Sequence, residues 1–258
     1  LISNKKNHQH NINNTMNTQY DYDLFVIGGG SAGAGAAQVA AKKGAKVALA
    51  DYVEASPQGT QWGLGGTCIN VGCIPKKLFH YSALLGEQKK DMIGSGWDID
   101  VNAKHDWKKM MEGATHFIRQ LRWNAKTTLT LNAIKYYNSL ATFVDPHTIS
   151  LYNPKKNKTE TVTAKYILVG TGGRPTYPDD VEGAKENAIT SDDIFYLEKN
   201  PGKTLIVGAS YIALETAGFL TGIGNDVTVL VRSILLRGFD QEVAGRIGEY
   251  MKSQGTKF

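Results

Sequence analysis

Two residues are equipped for redox chemistry. Cys68 and Cys73 are the only cysteines in 258 residues and stand in the string Cys68-Ile-Asn-Val-Gly-Cys73. Two cysteines cannot build a disulfide framework. A structural zinc site needs about four nitrogen or sulfur ligands, and His80 alone cannot complete one, so no metal is expected. On a regular helix, positions five apart lie about 8–9 Å apart at Cα, from 1.5 Å rise and 100° per residue. A disulfide wants roughly 4.4–6.8 Å. A bridge therefore needs a distorted helix start, which Gly66, Gly72 and Pro75 could supply, and a strained, reachable bridge suits exchange rather than stapling. The spacing alone also allows two unrelated buried cysteines.

A second constellation is built for phosphate. Gly28-Gly-Gly30-Ser31-Ala-Gly33 fits G-x-G-x-x-G after an apolar run, Asp23-Leu-Phe-Val-Ile27, and before an alanine-rich stretch. Gly28 allows a tight turn, Gly30 a close approach to pyrophosphate, and Gly33 close helix–strand packing. The helix start offers unpaired N–H groups to phosphates. Asp51 ends the next apolar run, where an acidic side chain can bind an adenosine ribose.

The elements that must hold these residues follow from periodicity. We expect a strand over 23–27, a helix over 31–43 stopped at Gly44, and a strand over 46–50, which make a βαβ unit. A helix is expected over 105–131, with Trp107, Met110, Met111, Ala114, Phe117, Ile118 and Leu121 facing a core. Alternation over 136–152, with a turn at Asp145-Pro146, suggests antiparallel strands. A strand over 162–169 enters Gly170-Thr171-Gly172-Gly-Arg174-Pro175. The pattern then restarts with a strand over 204–207, a turn, a helix over 211–221 and a strand over 226–231.

Composition bounds the rest. An apolar fraction of 41% supports a real core. The 28 glycines, about 11% against a usual ~7%, lack a three-residue period and point to glycine-dependent loops. The net charge of +5 comes from scattered lysines with no arginine-rich block, so no nucleic-acid partner is expected. Residues 1–19 are asparagine-rich and are expected to be a disordered tail. Either Met16 is the natural start or the sequence is a fragment. The first arginine is Arg119, which disfavours a mitochondrial transit peptide. The glycines of 24–41 make a poor membrane helix, so a cytoplasmic protein without membrane attachment is expected.

The thirteen residues Gly65-Gly66-Thr67-Cys68-Ile-Asn-Val-Gly-Cys73-Ile-Pro-Lys76-Lys77 resemble the redox motif of the pyridine nucleotide–disulfide oxidoreductases. Gly28–Gly33 then resembles that family's FAD fingerprint, and Gly170-Thr171-Gly172 with Arg174 its linker, with Gly170 where alanine is usual. The Trp-containing approach over 56–66 is similar to the high-molecular-weight thioredoxin reductase branch; glutathione reductases are shorter there. The likeness runs from about Tyr20 to Phe258.

The resemblance implies an α/β fold with two Rossmann-like dinucleotide-binding domains of the three-layer ββα type. The FAD-binding part is expected over 20–170 and an incomplete NADPH-binding part over 171–258, with the family's dimer-interface domain absent. It implies that Cys73 is the flavin-side sulfur and Cys68 the interchange sulfur, each needing a lowered pKa in turn to act as thiolate. Lys76 is placed near the flavin, Glu215 as its carboxylate partner, and Tyr211 over the nicotinamide pocket. Further FAD contacts are implied at Ser31, Tyr52, Gly66, Thr67, Ala141, Thr171, Gly172 and Arg174. Gly208-Ala-Ser210 resembles a second nucleotide turn, with serine and alanine in place of its later glycines. Arg232 stands where an NAD site would carry an acid, with Arg237 nearby, which suits the 2′-phosphate of NADPH.

The implied activity passes electrons from NADPH to FAD, to Cys68–Cys73, and to a thioredoxin-like protein disulfide, in a homodimer. The family's His-Glu acid–base pair and this branch's C-terminal redox centre are not in the sequence, so this chain alone is expected to be inactive and to bind FAD poorly. The alternatives are a thioredoxin-glutathione or glutathione reductase, or a truncated, non-catalytic nucleotide-binding module.

Overall fold

The structure is a computed structural model and describes residues 20–258. The expected tail over 1–19 and Met16 lie outside the described residues.

The chain opens with strand β1 (Tyr22–Ile27), helix α1 (Ser31–Lys42) and strand β2 (Val47–Ala50). Two helices carry the cysteines, α2 (Gly66–Val71) and α3 (Cys73–Glu87), followed by a short α4 (Lys89–Gly94) and the long α5 (Trp107–Leu131). Strands β3 (Lys135–Tyr137), β4 (Leu140–Phe143), β5 (Thr148–Asn153) and β6 (Lys158–Val169) follow. After a short helix α6 (Ala184–Asn187) and a single 3₁₀ turn over Ile194–Tyr196 come β7 (Thr204–Val207), α7 (Tyr211–Gly222), β8 (Val227–Leu230) and α8 (Gln241–Ser253).

The first six strands form one mixed sheet in the order β3-β2-β1-β6-β5-β4. β1 pairs in parallel with β2 and β6, and β2 with β3. β6 is long enough to serve twice. Its later residues lie beside β1 in parallel, and its earlier ones pair antiparallel with β5, which carries β4. The antiparallel expectation over 136–152 therefore holds for β4 and β5 but not for Tyr136 and Tyr137. Those two belong to β3, an edge strand aligned with β2, where the Asp51 amide donates to the Tyr137 carbonyl. Alternation marks a half-buried strand and says nothing of its direction.

Local chemistry explains the helix ends. The Asp106 side chain accepts from the Lys109 amide at the start of α5, and Asp240 does the same for Val243 at the start of α8. Among the apolar residues expected to face the core from α5, Trp107, Ala114 and Ile118 are buried. Phe117, however, is 42% exposed. Helical spacing gives a broad stripe, and Phe117 falls at its rim, left partly open among the described residues.

β7 and β8 form a separate two-stranded parallel sheet. Its apolar residues share one cluster with the cysteine-bearing helices. α7 packs on α3, and one apolar cluster joins Phe79, Ala83 and Trp107 to Phe195, Ala217, Phe219 and Leu220. Phe79 stands at its middle, edge-on to Trp107, Phe195 and Phe219 at ring separations of 5.2–5.5 Å. A buried phenylalanine contributes roughly 1.5–3 kcal/mol through area alone. Among the described residues no helix is long and apolar enough to cross a membrane.

Candidate functional site

Strand register assembles the first nucleotide cradle. Ile27 lies opposite Ala50 on one side and Val169 on the other. Gly28, Asp51 and Gly170 therefore emerge together at the carboxyl edge of the parallel strands, where α/β sheets bind ligands. Gly28 has φ +111°, and a Cβ there would lie 2.2 Å from the Gly170 carbonyl oxygen. α1 starts at Ser31 with no side-chain cap, so its first amides are free to face an anion. Gly66 closes the cradle from the redox loop. It has φ +67°, and a Cβ there would stand 2.6 Å from the Gly30 Cα. Asp51 accepts from the Gly29 amide through Oδ1 at 2.9 Å. Burial raises its carboxyl above the ordinary value, and the Gly29 hydrogen bond works against that rise. Tyr52 follows Asp51 and lines a cavity of about 220 Å³ with Trp62, Arg122 and Asn138. The cradle of small residues, free amides and one carboxylate fits a dinucleotide.

The cysteine segment is a helix broken once. α2 ends at Val71, Gly72 takes φ −142° and ψ −115°, and α3 begins at Cys73. This is the distortion that a five-residue spacing requires. Both cysteines are free thiols, Cys68 half-buried and Cys73 exposed. Burial first, and then the hydrogen bond and charge of Cys73, push the Cys68 thiol up to about 11, against the pull of Lys76. The lowered pKa expected at both sulfurs is thus reversed at Cys68. Two sulfurs facing each other cannot both carry charge cheaply, which adds to the rise at Cys68.

Lys76, one turn into α3, forms an ion pair with Glu215 of α7 at 2.6 Å. The two residues are 139 positions apart and are brought together by the packing of α3 on α7. Both line a cavity of about 470 Å³ with His80, Tyr211, Tyr250 and Gln254. Tyr211 is exposed at the start of α7.

The second turn repeats the first in outline. Gly208 has φ +124° and Ser210 precedes α7 without capping it. The register Val207↔Leu230 brings this turn and the residues after β8 to one edge. Arg232 and Arg237 are exposed on the loop that follows, and Arg237 donates to Ser233 at 2.5 Å.

The remaining expected residues are placed as follows. Arg174 lies over the Trp62 ring, donates to Asp192 at 2.9 Å and reaches the Glu54 carbonyl. Its guanidinium is engaged in holding the 52–63 loop. Ala141 is in β4, packed against the sheet core. Thr171 and Gly172 follow Gly170 in the linker and Thr67 is in the first turn of α2, all exposed.

Five further residues make contacts that no sequence pattern marks. Asn70 is fully buried between the cysteines and donates to the carbonyls of Gly63, Leu64 and Gly66. Its Oδ1 accepts from Arg122 of α5, which also donates to the Tyr196 hydroxyl at 2.6 Å. Partners 52 and 74 positions away leave no local pattern. A buried polar latch does the same for the approach loop, where Ser56 donates to Asp193 at 2.5 Å.

Known proteins share this arrangement in sequence. A thioredoxin reductase of Plasmodium falciparum (isolate FCH-5) is 56% identical over 241 residues, covering 93% of this chain and 44% of that protein. A thioredoxin reductase of isolate 3D7 is also 56% identical, with 93% and 39% covered. One from Emiliania huxleyi is 53% identical over 237 residues, with 92% and 47% covered. The chain thus spans less than half the length of these curated relatives. The sequence pattern described as pyridine nucleotide-disulphide oxidoreductase matches residues 22–258. With the two cysteines at a helix break beside a dinucleotide cradle, the chain belongs to the pyridine nucleotide-disulphide oxidoreductase family.

Proposed function

We propose that the protein of this chain is an NADPH-dependent flavoprotein disulfide reductase acting on a thioredoxin-like partner. The observation that carries the reading is the Cys68–Cys73 pair at the α2–α3 break, with Lys76 and Glu215 paired one turn away. Family membership implies flavin and nicotinamide nucleotide binding. We assign FAD to Gly28, Gly30, Ser31, Gly33, Asp51 and Gly66, and NADPH to the Gly208–Ser210 turn, Tyr211, Arg232 and Arg237. The division into an FAD part over 20–170 and an NADPH part over 171–258, and a homodimeric protein, belong to the same reading. So does a cytoplasmic location, where thiols are kept reduced.

Bound flavin would pass two electrons from reduced nicotinamide to the Cys68–Cys73 disulfide. The chain's own residues do the rest. The Lys76–Glu215 pair holds an ammonium one turn from Cys73, where it would face bound flavin. Cys73 is the first residue of α3, where the helix dipole favours negative charge. Cys68, once deprotonated, attacks the partner disulfide, forms a mixed disulfide and releases one partner sulfur as a thiolate. Cys73 then attacks Cys68, restores the Cys68–Cys73 bond and releases the second partner sulfur.

The test is an anaerobic titration of the natural full-length protein with NADPH, followed by alkylation and peptide mass analysis. Loss of flavin absorbance with two new thiols at Cys68 and Cys73 supports the reading. Reduction that leaves that peptide unalkylated overturns it.

A further inference from the structure

We propose that Arg122, acting through Asn70, is a positioning residue that sets how closely the two sulfurs face each other, and so sets the redox equilibrium of the pair. The inference rests on the reading of Cys68–Cys73 as a redox pair. α2 has six residues, begins at a left-handed glycine with no side-chain cap and ends at the Gly72 break. A helix that short has no stability of its own and takes its position from tethers. Among the described residues, the polar side-chain tether of α2 is Asn70. Its nitrogen gathers three carbonyls of the 63–66 loop, the shortest contact 2.7 Å to Gly66. Its oxygen is held by Arg122 Nε.

The two cysteines are held to different extents. α3, which carries Cys73, reaches the core through Phe79 and Ala83 and also buries Pro75. α2 reaches the core only at its last residue, Val71, and Cys68, two positions before Asn70, lies toward its other end. Loosening Asn70 therefore lets the Cys68 end of α2 drift about Val71 while Cys73 stays. Arg122 is suited to the task because its planar fork serves Asn70 with one nitrogen and the Tyr196 hydroxyl with another, which a lysine cannot do. Without Arg122 the Asn70 oxygen is buried and unpaired, a state that drives local rearrangement.

Disulfide formation depends on the effective concentration of one thiol at the other. The reaction to follow is the pair dithiol plus oxidised glutathione giving the Cys68–Cys73 disulfide plus two reduced glutathiones. The purified full-length protein is equilibrated in glutathione buffers, trapped with acid and alkylating reagent, and the peptide carrying both cysteines is weighed. Arg122→Met should lower the formation constant about tenfold, equal to about 30 mV for a two-electron couple. Arg122→Lys and Tyr196→Phe should each lower it about threefold. Ile149→Val, in the distant sheet core, is the control for a loss of stability alone and should leave the constant unchanged.

If Arg122→Met does not fold, the two milder variants decide the matter. Constants within 1.5-fold of wild type in folded Arg122→Lys and Tyr196→Phe overturn the proposal. So does an equal shift in Ile149→Val. A wild-type peptide that never forms the disulfide overturns instead the redox reading on which the proposal stands.

Discussion

Replacing Asp193 with asparagine should destabilise the protein by about 2–3 kcal/mol at pH 7 and by progressively less below pH 4. Asp193 is 2% exposed. One oxygen accepts from Ser56 at 2.5 Å, and the other from the Thr190 amide and hydroxyl at 2.8 and 3.1 Å. Every one of these partners is a donor. Asparagine keeps one accepting oxygen and must turn its NH₂ group toward donors on the other side. It therefore loses at least one charge-assisted hydrogen bond and leaves a buried donor unpaired, each worth roughly 1–3 kcal/mol. Removing the charge also relieves the neighbouring carboxyl of Asp192, which burial and Asp193 both push upward. That relief keeps the net loss toward the lower figure.

The pH dependence has a definite sign. Burial acts to raise the Asp193 pKa, but the hydrogen bonds from Ser56, Thr190 and Thr60 outweigh it and hold the carboxyl below its ordinary value. A carboxyl depressed in the folded state supplies stability that is complete above its unfolded pKa of about 3.9 and is lost as pH falls through the folded value. Wild type loses that contribution in acid, and the asparagine variant has none to lose. Urea unfolding of both proteins at pH 7, 5, 4 and 3, read by far-ultraviolet dichroism, measures the gap directly. A gap under about 0.5 kcal/mol at pH 7, or one of equal size at pH 7 and pH 3, would refute the reasoning.

Gly66→Ala should abolish flavin retention, read as absorbance of the purified protein, because its Cβ would stand 2.6 Å from the Gly30 Cα. The left-handed backbone alone costs about 1–2 kcal/mol. Cys73→Ser should lower the Cys68 pKa from about 11, since it removes the neighbouring thiol that helps to raise it. Iodoacetamide kinetics between pH 7 and 11 would show the midpoint move down, while burial keeps it above that of a free cysteine. Arg232→Glu should raise the Kd for NADPH at least tenfold more than that for NADH by fluorescence titration; equal effects on the two nucleotides would remove Arg232 from the 2′-phosphate site.

Local signals were the legible ones. Gly28, Gly30 and Gly33 lie within six residues and report a turn, a close approach and close helix–strand packing at once. That the helix start must be distorted is readable because spacing and disulfide geometry conflict on a regular helix, but not which of Gly66, Gly72 and Pro75 carries the break, which falls at Gly72. The direction of β3 was not readable, since alternation is the same in parallel and antiparallel edges. Nor were the Asn70–Arg122 and Ser56–Asp193 contacts, which join partners 52 and 137 positions apart and leave each residue looking like an ordinary polar side chain. The Lys76–Glu215 pair was anticipated through family resemblance; nothing in the neighbourhood of either residue announces the other. The merged core leaves no sequence signal for a related reason. Two repeats of βαβ grammar suggest two self-contained units, whereas Phe79 takes Phe195 and Phe219 as neighbours.

That cluster imposes an order on the protein's birth. Phe79 leaves the ribosome about 140 residues before Phe219, an interval of roughly 7–30 s at ordinary synthesis rates. The first sheet gains its last strand, β6, partway through that interval, and until α7 emerges the inner face of the redox helix lacks Phe219 to cover it. The nascent chain thus carries a bare aromatic surface beside two reduced thiols, the combination most exposed to aggregation and premature oxidation. Chaperone occupancy should therefore peak over this window and fall once α7 emerges.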